Sequence, residues 1–319
     1  MNTNNNKTIK VSIICNTYNH RNYISKALDG FLSQKTNFGF EVLVHDDAST
    51  DGTIDVIKTY EKRFPNVIKP IFEKVNQHSK IGFTSRLQQR RALGQYIAIC
   101  EGDDYWTDPF KLQKQIDFLD SNNEYVGCVH KYIVVNQYNE EQSIVTFGYY
   151  KESGCYSLDD FQQKELPSQL STLVYRNIYL DNNKGYPQAF YNVKIQGDIK
   201  LYLWLLTQGN IYRMDDTMSA YRFVNEKTGN SWTSVQRRVA FGNYYHKGLC
   251  SLEKAYFSIY GTKISLKKRK KDAIIHMFSD FKRKPCFSVF MRTIAVIFIH
   301  PLVFIQYLLA RIKRKIHRL

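Results

Sequence analysis

VSIICNTYNH (Val11–His20), FEVLVHDDASTDGT (Phe40–Thr53) and GQYIAICEGDDYWTDPFKLQKQ (Gly94–Gln115) are the stretches that decide the fold. Each opens as a short apolar run and breaks into turn-forming polar residues. Val11–Cys15 gives way to Asn16-Thr17-Tyr18-Asn19, and Phe40–His45 stops at Asp46-Asp47-Ala48-Ser49-Thr50-Asp51-Gly52. Gln95–Cys100 stops at Glu101-Gly102-Asp103-Asp104-Tyr105-Trp106. Runs of this length bounded by turn residues read as buried strands. Ile24, Ala27, Leu28, Phe31 and Leu32 recur at helical spacing after the first, and Ile54, Ile57 and Tyr60 after the second. Val67–Phe72 reads as a further strand between them. Strands alternating with helices predict an α/β fold with a mostly parallel sheet flanked by helices. Such sheets bind ligands beyond the carboxyl ends of their strands, which is where the acidic clusters fall.

Thr107-Asp108-Pro109 predicts a helix start, with Asp as N-cap and Pro at the first helical position. Leu112, Ile116 and Leu119 then line one face. From Tyr125 to Arg222 the pattern is mixed and aromatic-rich, and residues 240–284 read as helical and increasingly basic. The chain of 319 residues is 43% hydrophobic and 14% aromatic, enough to bury a substantial core. Its net charge of +16 is uneven: Thr262–Leu319 holds fifteen Lys or Arg against Asp272 and Asp280, or +13, leaving +3 for the rest. A nucleic-acid-binding domain spreads positive charge over a folded face, so DNA binding is disfavoured. The six cysteines form no CxxC pair, which fits reduced thiols in a cytosolic compartment. MNTNNNKTIK has no apolar core and does not read as a signal peptide.

Thr293–Ala310 is an uncharged run of 18 residues with His300-Pro301 inside it and basic residues on both flanks. A spanning helix needs about 20 apolar residues. A proline at the centre breaks or kinks the run. The expectation is a segment that lies in or dips into an anionic leaflet; a terminal helix packed on the domain is the alternative.

Carboxylates at one strand end are commonly solvated loop residues, but two clusters at neighbouring strand ends suggest a shared task. A divalent ion held by one or two carboxylates takes phosphate oxygens to complete its shell. Other carboxylates accept hydrogen bonds from a ribose hydroxyl or a base N–H. Asp47, Ser49, Asp51 and Gly52 imitate the start of a calcium loop, but its twelfth position is Lys58 and it follows a strand, so that reading fails. No zinc spacing, Walker loop, GxGxxG or GxSxG pattern occurs.

Together the three quoted stretches resemble the family 2 glycosyltransferases of GT-A fold, closest to bacterial members that build surface polysaccharides. The resemblance is strong over residues 8–120 and weaker to about residue 235. It implies a nucleotide-sugar-binding half (1–120) and an acceptor-binding half (121–239); the pattern beyond them reads as a helical extension (240–284) and a basic amphipathic, membrane-associated segment (285–319). It places Asn16, Thr17, Tyr18 and Asn19 against the nucleotide and matches Asp47 to the residue that reads the uracil edge. Asp103 matches the ribose- and metal-side position, Asp104 the metal ligand itself, and Asn76 an asparagine that follows the third strand. Asp198, in Gln196-Gly197-Asp198, matches the catalytic base; an N-cap is the plainer reading of the same residue. Relatives often carry histidine where this chain has Val224. Asp215-Asp216 is read as strand or loop without metal. Arg222 and Trp232 suit either the acceptor side or core packing.

The function implied is inverting transfer of a sugar from a nucleoside-diphosphate sugar to a hydroxyl of a lipid-linked or growing glycan. UDP is the expected nucleotide, with GDP or dTDP open, the cofactor is Mg²⁺ or Mn²⁺, and the place is the inner face of the cell membrane. A catalytically silent donor-binding module is the alternative that Val224 keeps open. A sugar nucleotidyltransferase would carry a Gly-rich basic loop after the first strand, which Asn16–His20 is not.

Overall fold

Strand-then-turn motifs become a site only if their strands run in the same direction side by side. The computed structural model describes residues 8–77, 83–143, 149, 152–178, 186–224, 241–283, 291, 294–295, 297–299 and 301–316. The chain runs β1 (Ile9–Thr17), α1 (Ile24–Leu32), β2 (Gly39–Asp46), α2 (Thr53–Arg63), β3 (Ile68–Phe72), α3 (Phe83–Arg91) and β4 (Tyr96–Ile99). There follow β5 (Tyr105–Trp106), α4 (Lys111–Ser121), β6 (Tyr125–Val135), β7 (Gly154–Tyr156), α5 (Leu158–Gln163) and a 3₁₀ turn (Leu170–Thr172). Then come β8 (Val174–Arg176), α6 (Gln188–Asn192), α7 (Gly197–Leu206) and β9 (Asn210–Arg222). Helices α8 (Phe241–Tyr260), α9 (Lys267–Arg283) and α10 (Pro301–Ile316) complete the described elements.

The strand order is β3-β2-β1-β4-β8-β6-β9-β5, with β7 against β9. β1 lies between β2 and β4, parallel to both, and β3 is parallel to β2. This half is the parallel sheet that the sequence predicts. The other half is mixed: β8 runs antiparallel to β4 and β6, whereas β6 and β9 are parallel. The chain divides into two compact units. The first, Met1–Phe161 with Glu165–Asn192 and Gly197–Phe223, holds the whole sheet; the second, Gln162–Lys164 with Val193–Gln196 and Val224–Leu319, holds α8 to α10.

The first unit's core follows the apolar runs. Val11, Ile13 and Cys15 of β1, Val42 and Val44 of β2, and Leu112, Ile116 and Leu119 of α4 are fully buried. Burying each large aliphatic side chain stabilises by about 1.5–3 kcal/mol. Phe31 and Trp106 meet edge to face, 4.7 Å between centroids. A buried polar cluster joins β1, β2 and the approach to β4: Ser12 Oγ donates to Glu41 Oε1 (2.6 Å), and the Leu93 and Gly94 amides donate to Glu41 and Ser12.

Two local features differ from the sequence reading. Helix α3 shows no apolar period; its buried described residues are Gln88 and Gln89, with Gln88 Nε2 donating to the Leu43 carbonyl. Helix α4 begins at Lys111, because Asp108 Oδ1 accepts from the Phe110 amide and forms a turn ahead of it. No helix among the described residues is long and apolar enough to cross a membrane.

Lys111 itself is buried, donating to Gln115 Oε1 (2.7 Å) with its ammonium 4.0 Å from the Trp106 ring centroid. Burial lowers its pKa from 10.5 to about 7. Between those values the unfolded chain binds the extra proton, so stability rises with pH across that window. Lys111→Met removes this component. Urea unfolding at pH 7 and 9.5 is expected to show wild type gaining on the variant by up to about 3 kcal/mol; an equal pH slope in both proteins contradicts a buried, deprotonating lysine.

Candidate functional site

The carboxyl ends of β1, β2 and β4 open on one edge, and backbone hydrogen bonds tie their loops together there. The Asp47 amide donates to the Thr17 carbonyl (3.0 Å), the Gly102 amide to the Asn16 carbonyl (2.9 Å) and the Glu73 amide to the Asp46 carbonyl (2.9 Å). Close approach sets Gly102: a Cβ there would lie 2.8 Å from both Cβ and Oγ1 of Thr17. Gly102→Ala is therefore expected to displace the Glu101–Asp104 loop. We expect thermal unfolding to show a loss of about 1–3 kcal/mol; unchanged stability contradicts this tight seat.

The residues singled out from sequence fall into distinct roles. Thr17 is buried, and among the described residues neither its Oγ1 nor the buried Asn16 Oδ1 has a hydrogen-bond partner. Tyr18 is exposed. Asn19 is a bracket: its backbone is left-handed (φ 54°), its amide donates to Ser49 Oγ and its Oδ1 accepts from the Thr50 amide. It locks the β1 loop to the β2 loop. Asp47 is half-buried, with Oδ1 accepting from the Gln77 amide (2.6 Å) and its carbonyl accepting from Asn76 Nδ2 (3.1 Å). Asn76 thus braces the backbone of Asp47.

The two adjacent aspartates are treated differently. Asp104 is buried, and both oxygens are engaged: Oδ1 accepts from the Arg222 amide (2.8 Å) and Oδ2 from Gln169 Nε2 (2.9 Å). Burial and then the charge of Asp103 push its carboxyl upward, while these hydrogen bonds pull it back. Asp103 is half-buried, and no protein donor hydrogen-bonds its carboxylate among the described residues; His20 Nε2 lies 3.8 Å from its Oδ2. Asp104, matched to the metal ligand, thus carries one protein donor on each oxygen, while the Asp103 carboxylate carries none among the described residues.

Arg222 holds this loop in place. Its Nε donates to the Asp103 carbonyl (2.8 Å), its terminal nitrogens to the Asn136 carbonyl and Asn139 Oδ1, and its guanidinium lies 4.3 Å from the Tyr23 ring centroid. Gln169, His20 and this use of Arg222 were not legible as site features. Gln169 lies 65 positions from its partner Asp104, with no local motif to mark it. Asp198 stands in the first turn of α7, one residue past the helix start, so it is not the N-cap. Desolvation, then the charges of Asp103 and Asp198, push the Glu101 carboxyl up to about 7. Carboxylates from the β4 end and from α7 thus share one electrostatic field. Asp215 and Asp216 lie elsewhere, paired with Lys131 and Lys114. Val224 is buried, and Trp232 lies outside the described residues.

Among the described residues no cluster of three His, Cys, Asp or Glu side chains could cage a metal. The donor set nevertheless fits a divalent ion of the kind that takes one or two carboxylates and completes its shell with phosphate and water. Asp103 supplies such a carboxylate, with His20 Nε2 3.8 Å from it.

Known proteins resemble this chain in sequence or in fold. A Mycobacterium tuberculosis protein of uncharacterised function is 45% identical over 125 residues, 39% of this chain; the match spans 36% of its own length. The Bacillus subtilis protein named "Putative teichuronic acid biosynthesis glycosyltransferase TuaG" is 27% identical over 230 residues, 71% of this chain and 84% of its own. S. aureus TarS in complex with UDP-GlcNAc superposes with a TM-score of 0.53 at 19% identity, covering 86% of this chain and 81% of that one. The mannosyltransferase PcManGT from Pyrobaculum calidifontis, in complex with GDP-Man and Mn²⁺, gives 0.51 at 14% identity, covering 96% and 86%. These two structures share the GT-A sheet flanked by helices. Residues 12–191, more than half the chain, match the description Glycosyl transferase family 2 and contain every strand-end loop described above. The chain belongs to glycosyl transferase family 2.

Proposed function

We propose that the chain transfers a sugar, with inversion, from a UDP-sugar to a hydroxyl of a lipid-linked or growing glycan during surface polysaccharide synthesis. One observation carries this reading: at the parallel strand ends Asp103 keeps a carboxylate without a protein hydrogen bond among the described residues, while Asp104 beside it is locked by Arg222 and Gln169. Asp47, fixed by Gln77 and Asn76, takes the base edge of the nucleotide. Asn16, Thr17 and Tyr18 line its approach, and Asn19 shapes the turn. Asp103 holds Mg²⁺ or Mn²⁺ with His20 beside it, and Asp104 supports the loop. When bound, the ion offsets the charge left on the departing diphosphate.

Asp198 accepts the proton of the acceptor hydroxyl as its oxygen attacks the anomeric carbon. The bond to the acceptor oxygen forms, the bond to the diphosphate oxygen breaks, and the electron pair leaves with the diphosphate. Preference for UDP is supported by TarS, solved with UDP and UDP-GlcNAc; PcManGT, solved with GDP-Man and Mn²⁺, supports the metal and keeps GDP in the test. In this reading the chain works at the inner face of the cell membrane, on a lipid-linked acceptor. Val224 favours a second reading, a module that binds donor without transferring it. Incubating the chain with labelled UDP-sugar, Mn²⁺ and lipid extract separates the two: label in the lipid fraction supports transfer, and donor binding without label there supports the silent module.

A further inference from the structure

We propose that α10 lies flat in an anionic lipid leaflet, with its Leu302, Ile305 and Leu309 face among the acyl chains and the surrounding basic residues at the headgroups. Within the second unit α10 is already packed on one side: Phe304 and Tyr307 meet Phe278 of α9, with centroids 5.1 and 5.4 Å apart. The opposite side is bare. Leu302, Ile305 and Leu309 are 73%, 50% and 54% exposed, at i, i+3 and i+7, and Phe298 just before the helix is 81% exposed. Water penalises such a contiguous apolar stripe, so it marks an interaction surface.

Charge selects the occupant. Thr262–Leu319 carries +13, with Arg311, Lys313, Arg314 and Lys315 in the last turns of α10 and exposed Lys267 and Lys271 on α9. A second copy of this face would bring like charge against like. An anionic leaflet brings the opposite charge, and each basic residue near it adds to binding. No helix among the described residues is long and apolar enough to cross the bilayer, and a helix with one apolar face and basic residues around it lies in the interface plane. This deepens the membrane placement proposed above and does not depend on the donor chemistry.

The test is co-sedimentation of the full chain with phosphatidylcholine vesicles, alone or with one-third phosphatidylglycerol. Wild type is expected to pellet with the anionic vesicles and to bind neutral ones at least about tenfold more weakly. The triple variant Leu302→Gln, Ile305→Gln, Leu309→Gln is expected to lose at least about tenfold in binding to anionic vesicles, with thermal stability unchanged because the three side chains are exposed. Alkaline carbonate should release the wild-type chain. Unchanged binding by the variant, indifference to anionic lipid, or resistance to carbonate overturns the proposal. So does a wild-type dimer that the variant dissolves while vesicle binding persists. If vesicles bind but UDP with Mn²⁺ gives no thermal shift, the transferase reading fails and this one stands.

Discussion

Asp103→Asn is expected to abolish the metal-dependent part of nucleotide binding and to lower transfer by about a thousandfold or more, with little change in folding stability. The reason is positional: the Asp103 carboxylate has no protein hydrogen bond to lose among the described residues, and its backbone carbonyl keeps Arg222 Nε. Asp104→Ala is expected to fail differently. It leaves the Arg222 amide and Gln169 Nε2 without their acceptor in a buried place. Each unsatisfied buried donor costs about 1–3 kcal/mol, so the loss is about 2–6 kcal/mol, a large share of a domain's net stability. Calorimetry with UDP and Mn²⁺, paired with urea unfolding, separates these outcomes. The assignment is reversed if Asp104→Ala folds normally but loses the ion, while Asp103→Asn binds it as wild type does.

Asp198→Asn is expected to reduce the transfer rate by about 10²–10⁴ while UDP with Mn²⁺ binds as before. The amide keeps the shape of the first turn of α7 but cannot take the acceptor's proton. Labelled sugar entering a lipid-linked acceptor reads the rate, and calorimetry reads the donor. A variant that transfers at the wild-type rate leaves Asp198 only its place beside the positive end of the helix dipole. Loss of donor binding in step with rate would instead place Asp198 in the nucleotide site.

Sequence carried the parallel half of the sheet because its strands are continuous apolar runs, each stopped by residues that turn the chain. Ile13, Val42 and Ala98 sit where such runs predict, in the buried sheet centre. The mixed half was less legible: β8 is three residues long, and β9 runs through Asp215 and Asp216. Helix α3 escaped because glutamines, not leucines, face its neighbours. At the site, carboxylate clusters and their strand-end position could be read from local pattern. The division of labour between Asp103 and Asp104 could not. It depends on Gln169 and Arg222, which arrive from distant parts of the chain and occupy one carboxylate while leaving its neighbour available.

The measurement that bears most directly on the whole account is calorimetric titration of the wild-type chain with UDP, GDP, dTDP and CMP, each with and without Mn²⁺. The account predicts that UDP binds more tightly than the others, only with the metal, and that Asp103→Asn removes this binding. Binding of none of them, or UDP binding indifferent to Mn²⁺ and to Asp103, would contradict a metal-assisted donor site at the carboxyl ends of β1, β2 and β4.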